Sequence, residues 1–540
     1  MTLFLRIEVK LCIFVGTSTL RVLEACLVPT GTNRKNLIVF FSGSIEFFII
    51  NVARGFSPVY FNFLSIYSEM RRLMKKAIII FVVILVFFTG LSAQQDFYFD
   101  RQRGRIFFYD SDQFERILRK FSKSLTVEQA CYNWFKNQQQ PNGLVESYET
   151  AEVSYTYDNA LAAMVYLLNN DSGRAKKVFD FFVKWAEKEV SKNGKFNGLT
   201  DMYKISGKVG NESRAIGPNA WILLALNHYA LVTKDRSYME FSELIADWML
   251  SFQDSSRGGL WGGIGEYNDK FLWMSTEHNL DCYAGFKVLS ELSGKKKYLK
   301  AALEIKEFLD THLWNENDKR FYNGWDDPNF ATDVSSWAVL SLMEQKYFDS
   351  LDFAIKYSEN KQFYKPNNIE ITGFDFGSDY GTSPYPDKDA VWFEGTGQMV
   401  LAFYHCSLTN EADFYTDELL KGVVKSKSFD DSAGLPYASN PGSPPYGGWV
   451  MPDKPICISS TAWLIYSLKK FNPFYGNFLK PVKIEKKIEK KDEGTTLEDL
   501  LNTDEPEKKI EKEDIKKDEK KEPVIDKKKK EKIEDELFGE

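Results

Sequence analysis

Two kinds of apolar pattern alternate between Ser124 and Phe474. One is apolar almost all round and rich in small residues: NALAAMVYLL from Asn159, NAWILLALNHY from Asn219, NLDCYAGFKVL from Asn279, DVSSWAVLSLM from Asp333, EGTGQMVLAFY from Glu394 and SSTAWLIYSLK from Ser459. Such segments are expected of helices buried on every side and packed closely. The other pattern carries charged and apolar faces at the helical period, in TVEQACYNWFKNQ (126–138), AKKVFDFFVKWAEKEV (175–190), YMEFSELIADWMLSFQ (238–253), YLKAALEIKEFLDTHL (298–313), DFAIKYSENKQF (352–363) and ADFYTDELLKGVV (412–424). These predict amphipathic helices with one solvated face. The anchors of the buried set are spaced by 60, 60, 54, 61 and 65 residues, which makes a sixfold repeat.

Six amphipathic helices alternating with six buried ones are arranged most economically as two concentric rings, an all-α (α/α)6 barrel of six helical hairpins. An open solenoid of hairpins or two stacked bundles would use the same parts. The closed barrel accounts for the uniformly apolar inner set, because each inner helix then touches two inner neighbours and the outer ring. The loops that follow the amphipathic segments share a flavour, as in GKFNGLTDMY (194–203), GGLWGGIGEYND (258–269) and RFYNGWDD (320–327). Glycine there supplies turns or short hairpins, and the aromatic, Asp and Asn side chains supply flat apolar faces beside hydrogen-bonding groups. All six loops lead into inner-helix starts, so the barrel would gather them at one rim as an aromatic-lined cleft. A sugar chain, with apolar C–H faces and a girdle of hydroxyls, suits such a cleft. Trp261, Trp325, Trp392 and Trp449 are the candidate stacking residues.

All six anchors are polar although the segments behind them are not. Asn, Asp and Ser suit a helix start as caps, and Asn279, matched by Asn159 and Asn219, reads as a repeat-wide cap. Glu is a poor cap, and Glu394 sits in AVWFEGTGQ between apolar Trp392, Phe393 and two glycines. Apolar neighbours raise a carboxyl pKa, which suits a general acid. Glu277, in STEHNLDCYAGF, has Thr276, His278 and Asn279 around it, a polar setting that favours a carboxylate and suits a base. An acid and a base on two carboxyls are what glycoside hydrolysis needs, and their placement on the third and fifth inner helices leans towards inversion. Asp333 is the rival base; Asp158 and Asp281 are lesser candidates, and with His278 and Asn219 they are candidate substrate ligands. Glu277, His278 and Asp281 could share a helix face as a metal site, but no metal and no cofactor is expected. No phosphate-binding P-loop, GxSxG elbow or HExxH is present.

The chain has 540 residues, 44% hydrophobic and 15% aromatic, ample for one large core. Its ends differ from the rest. From Lys483 onward there are 17 Lys against 21 acidic residues and a single aromatic, a segment read as a disordered tail, with its domain boundary set at 479–540. Most of the net charge of −7 lies there, so the remainder has no basic excess, and nucleic acid is not an expected partner. Met70 to Gln95 has a basic start, an apolar stretch and the small-residue exit Leu91-Ser92-Ala93, the layout of a secretory signal peptide cleaved after Ala93. Residues 1–69 upstream of it are read as a non-native extension from an early start, 70–93 as signal peptide or anchor, and 94–478 as the barrel domain. If uncleaved, 77–91 would associate with a membrane. The expected location is periplasmic or extracellular. Cys131, Cys282, Cys406 and Cys457 are widely spaced, with no zinc-like grouping; disulfides or buried free thiols are both open.

This pattern resembles the six-hairpin glycosidase superfamily over roughly Ser124 to Phe474, on the repeat together with STEHNLDCYAGF, VWFEGTGQMVLAFY and SSTAWLIYSL. The resemblance implies acidic catalytic residues on the rim, carried here by Glu277 and Glu394, and a carbohydrate partner. The alternatives on the same barrel are a non-catalytic sugar-binding or cell-envelope protein, a uronide hydrolase or lyase, and a sugar epimerase. An epimerase of the two-histidine type lacks its second histidine, since only His278 lies at an inner-helix start. Terpene-cyclase-like toroids need a DxDD motif, which is absent. Lys and Arg are sparse in the rim loops, which favours neutral sugars.

Overall fold

The computed structural model describes residues 125–377, 389–442 and 451–482 in full, and 9–14, 20–25, 95–100 and 105–110 as backbone strands. The chain divides into two units, Met1–Leu91 and Ser92–Glu540. In the first, Val9–Phe14 pairs antiparallel with Leu20–Ala25; in the second, Gln95–Asp100 pairs with Arg105–Asp110 ahead of the helices. The signal-peptide or anchor segment 70–93, Trp449 and the charged tail beyond 482 lie outside the described residues.

Among the described residues twelve α-helices alternate. The outer ones are α1 (Val127–Gln138), α3 (Ser172–Asn193), α5 (Met239–Leu250), α7 (Lys296–Phe308), α9 (Ser350–Ser358) and α11 (Thr409–Gly422). The inner ones are α2 (Thr156–Leu168), α4 (Ile216–Thr233), α6 (Thr276–Ser293), α8 (Thr332–Leu342), α10 (Phe393–His405) and α12 (Ile458–Lys469). Outer helices bury one stripe: α3 buries Ala175, Val178, Phe179, Phe182 and Ala186, at helical spacing, and leaves its lysines in water. It starts on Asp171, whose side chain accepts from Arg174 N, and stops at Gly194 in the left-handed region. Inner helices are buried almost all round because they lie between neighbours on both sides and the outer ring. Glycine permits the closest of these approaches: a Cβ on Gly397 of α10 would lie 2.9 Å from Trp463 of α12.

The inner helices pack in order from α2 to α12, and α12 returns to α2. Outer helix α1 packs on α12, so the two ends of the barrel sequence complete the sixth hairpin. A belt of antiparallel backbone pairings traces the same closure. The residue before each inner helix pairs with a rim loop of the next repeat: Tyr155 with Met202, Ala215 with Gly263, Ser275 with Gly324, Ala331 with Gly377, and Trp392 with Ala438. Cys457 then pairs with Tyr148 of the first loop. The fold is therefore a closed (α/α)6 barrel of six helical hairpins, and an open solenoid is excluded.

Three tryptophans fill the axis. Trp221 of α4, Trp337 of α8 and Trp463 of α12 have ring centroids 5.2 to 6.3 Å apart, and Phe474 packs 5.4 Å from Trp221 and 5.5 Å from Trp337. They come from alternate inner helices and form a closed apolar floor about one turn below the helix starts.

The register of the repeat differs from the sequence reading. Asp333, Glu394 and Ser459 are the second residues of their helices, whereas Asn159, Asn219 and Asn279 are the fourth. Those asparagines are not caps. Each side-chain oxygen accepts a loop N–H at 2.8 Å, from Val145, Leu199 and Leu260, and each amide nitrogen donates at 2.8 Å to the carbonyl four residues back. Thr396 and Thr461, fourth in α10 and α12, accept from Phe374 N and Leu435 N at 3.0 Å in the same way. Either side chain supplies the acceptor the loop needs, so the device survives a change of residue that hides its register in the sequence. Cys131, Cys282, Cys406 and Cys457 are all buried free thiols.

Candidate active site

With the register corrected, one layer of side chains rings the barrel mouth. Going round from α2 to α12 it reads Tyr157, Gly217, Glu277, Asp333, Glu394 and Ser459, all second residues of inner helices. The three carboxyls are thus on three successive inner helices at one height. Asp333 and Glu394 are buried, while Glu277 is half-buried and keeps accessible surface. Asp158, next to Tyr157, and Asp281, one turn below Glu277 on the same face of α6, are buried beside them.

These carboxyls feel one another and, among the described residues, no cation. Burial, then the charges of Asp333 and Glu394, hold the Glu277 carboxyl well above the usual carboxylate range. Burial, then Glu277 and Asp333, do the same to Asp281, opposed by the Trp221 indole. That indole nitrogen and both Asp281 oxygens nevertheless lack a partner within hydrogen-bond geometry, so the opposition is weak. Asp333 is pushed up to about 7 by burial and by Glu394, against the N–H of Val334. Asp158 is pushed up to about 8 by burial, with Ser147 opposing and Glu394 adding. Buried like charges this close cannot all ionise, so the layer holds protons at neutral pH.

Glu394 is the exception in its partners. Burial pushes it up to about 7, but several donors pull the other way. Tyr157 Oη donates to Glu394 Oε1 at 2.5 Å, Gln398 Nε2 lies 3.5 Å from the same oxygen, and Trp463 Nε1 donates to Tyr157 at 3.0 Å. The environments are therefore the reverse of those suggested by chain neighbours. Trp392 and Phe393 turn away from the carboxyl: Trp392 packs with Phe376 and Tyr437, Phe393 with Tyr364. Glu394 is instead surrounded by donors from α2 and α12, while Glu277 is faced by carboxyls. Glu277 is pushed towards its protonated form, and Glu394 is the carboxyl best equipped to carry charge.

The remaining sequence candidates divide. His278 lies against Trp273 with ring centroids 5.3 Å apart, in a space that exists because position 217 is glycine; a Cβ there would lie 2.4 Å from the imidazole. Burial pushes its pKa down to about 4, so the ring is neutral. Trp261 is partly buried under the ammonium of Lys270 at 5.3 Å. Trp392 belongs to a small core with Ala390, Ala438 and Met451. Trp325 lies against Phe308 of outer helix α7, His312 and the Arg257 guanidinium, and no contact brings it to the carboxyls. Asn219 has both ends of its amide engaged with backbone. Among the described residues no group of three His, Cys, Asp or Glu side chains is arranged to hold a metal. Two surface hollows, of about 440 and 360 Å³, lie by Phe429 and Arg214, with none of the five carboxyls in their walls. Tyr157, Gln398 and the three axial tryptophans were missed by sequence reasoning. Tyr157 was within reach of it, since it occupies the slot of Glu277 and Glu394 once the helices are aligned by their starts.

In shape the chain is similar to a glycosidase variant (TM-score 0.47, 11% identity, covering 66% of this chain and 97% of that one). It is similar also to cellobiose 2-epimerase from Bacillus thermoamylovorans (0.47, 10%, 66% and 98%) and to a D-mannose isomerase (0.45, 13%, 67% and 98%). No protein-family model and no curated protein sequence matches the chain.

Proposed function

We propose that this barrel is a glycoside hydrolase acting on neutral oligosaccharide or polysaccharide, with Glu277 as general acid and Glu394 as general base. The observation that carries the reading is the unequal treatment of two carboxyls in one layer, Glu277 faced by acids and Glu394 by donors. Pairs whose surroundings push their proton affinities apart are how one site runs acid and base chemistry together. Glu277 gives its proton to the glycosidic oxygen. Glu394, oriented by Tyr157, accepts a proton from the water that attacks the anomeric carbon. Asp333, on the helix between them, bears charge beside the oxocarbenium-like centre, and the tryptophan floor supports an apolar sugar face. Placement on helices α6 and α10, with α8 between, supports inversion. Export through residues 70–93 belongs to the same proposal and rests on the sequence pattern alone.

The test is hydrolysis of neutral oligosaccharides by the full chain and by Glu277→Gln and Glu394→Gln. Each substitution is expected to lower kcat by about 100-fold or more, and proton NMR of the first product is expected to show the inverted anomer. Wild-type rates in both variants would remove the assignment. Glycan binding by the wild type without cleavage would make the barrel a sugar-binding protein instead.

A further inference from the structure

Ten large apolar side chains are exposed among the described residues, and three of them, Tyr267, Leu272 and Trp273, come from a single rim loop. That concentration needs a reason, since scattered exposure is ordinary and clustered exposure is not. The loop is firmly built. Gly262 N donates to Trp273 O at 2.8 Å, Phe271 N to Gly263 O at 2.9 Å and Gly265 N to Asp269 O at 2.7 Å. Ile216 N donates to Gly262 O at 3.0 Å, which ties the loop to the first residue of α4. The Trp273 ring lies over Gly262, where a Cβ would sit 2.5 Å from it. Phe271 stacks on Trp273 with centroids 5.1 Å apart and planes at 25°, and Trp273 meets the His278 ring at 5.3 Å. The aromatic surface thus runs from the outer rim to the residue beside Glu277.

We propose that Phe271, held on the Trp273 ring, forms a binding platform for the outer units of a neutral glycan chain whose scissile bond lies at Glu277. The proposal rests on the hydrolase reading for the position of that bond. A ring held in place before binding loses little conformational freedom when a sugar face settles on it. The occupant is neutral because the surroundings are acidic: Glu266 and Asp269 flank the platform and the carboxyl layer lies below. Of the nearby cations, Lys270 is already placed over Trp261, and Arg214 is paired with Glu189 and Glu212 at 3.4 Å. A glycan built of uronates would meet repulsion along this path. Continuity with the carboxyl layer through His278 separates this patch from a general hydrophobic contact surface.

The experiment uses the full chain carrying Glu277→Gln, which binds without cleaving. Isothermal titration calorimetry compares maltohexaose with maltose, cellohexaose with cellobiose and xylohexaose with xylobiose. In the series that binds, the hexamer is expected to bind at least about tenfold more tightly than the dimer. Adding Trp273→Ala is expected to weaken the hexamer by about tenfold and the dimer by less than about twofold, with Trp273→Phe restoring most of the loss. Phe271→Ser serves as the second variant, with circular dichroism confirming that both fold. An unchanged ratio of hexamer to dimer affinity in Trp273→Ala overturns the platform while leaving the hydrolase reading intact. Length-dependent binding without cleavage by the wild type overturns the hydrolase reading and keeps the platform. Failure of all three series to bind overturns both.

Discussion

Tyr157 Oη, on the first inner helix, donates a 2.5 Å hydrogen bond to Oε1 of Glu394 on the fifth, although 237 positions separate them in the chain. The bond favours the charged form of a buried carboxyl, and Tyr157 is itself fixed by the Trp463 indole at 3.0 Å. Tyr157→Phe removes the donor and keeps the ring. The Glu394 pKa is then expected to rise further above about 7, so the acidic limb of the pH–rate profile moves to higher pH. A fall in kcat of about tenfold is expected with KM little changed, because the tyrosine positions the base. A pH–rate profile of wild type and variant checks this, and an unmoved limb would mean that Glu394 is not the titrating base.

The carboxyl layer makes stability depend on pH. Asp158, Asp333 and Glu394 are raised to about 8, 7 and 7 in the folded barrel, whereas they titrate near 4 when unfolded. A raised carboxyl is protonated in the folded state over a range where the unfolded chain has already lost the proton. Its stabilising contribution is full below the unfolded value and is lost as pH rises through the folded one. The barrel is expected to melt at a higher temperature at pH 5 than at pH 8, with each group contributing a slope of up to about 1.4 kcal/mol per pH unit in that window. Asp158→Asn should flatten the profile and stabilise the protein most at pH 8, as read by thermal melts across pH.

Asn219 joins a rim loop to α4 through Leu199 N, Leu199 O and Ala215 O. Asn219→Ala leaves a buried N–H unpaired, and a loss of about 2–3 kcal/mol in chemical unfolding is expected. Asn219→Thr should recover part of it, since threonine fills this slot in α10 and α12.

Gly217→Ala places a methyl group where the His278 ring now lies, 2.4 Å away. The imidazole must move, and with it the start of α6 that carries Glu277. A loss of about 1–3 kcal/mol is expected, with a fall in activity larger than the melting shift alone would produce. Equal activity in Gly217→Ala would show that Glu277 does not depend on this packing.

All four described cysteines are buried, and burial pushes Cys131 and Cys457 up to about 12. They are expected to resist iodoacetamide in the native protein and to react fully in denaturant, as counted by intact mass.

The helices were legible because each carries its burial in its own pattern: an all-round apolar run such as Asn219 to Tyr229 has no surface to offer water, and a striped one such as α3 has one face for it. The closure into six hairpins followed from counting them. The register did not, because asparagine in the first three repeats stands where Ser335, Thr396 and Thr461 stand in the others, so polar residues two positions apart look equivalent along the chain. The acid and base roles of Glu277 and Glu394 were assigned from chain neighbours, and neighbours along a helix start point in different directions. Trp392 and Phe393 flank Glu394 in sequence and face other cores.

The sequence by itself determined the two rings, the rim loops and the presence of Glu277, Asp333 and Glu394 at inner-helix starts, since helical periodicity and polarity at a helix end are local properties. Only the tertiary structure decided which carboxyl is faced by acids and which by donors. Electrostatics and hydrogen bonding act through space over a few ångströms, and the groups that act on Glu394 come from helices that the ring closure alone brings to it.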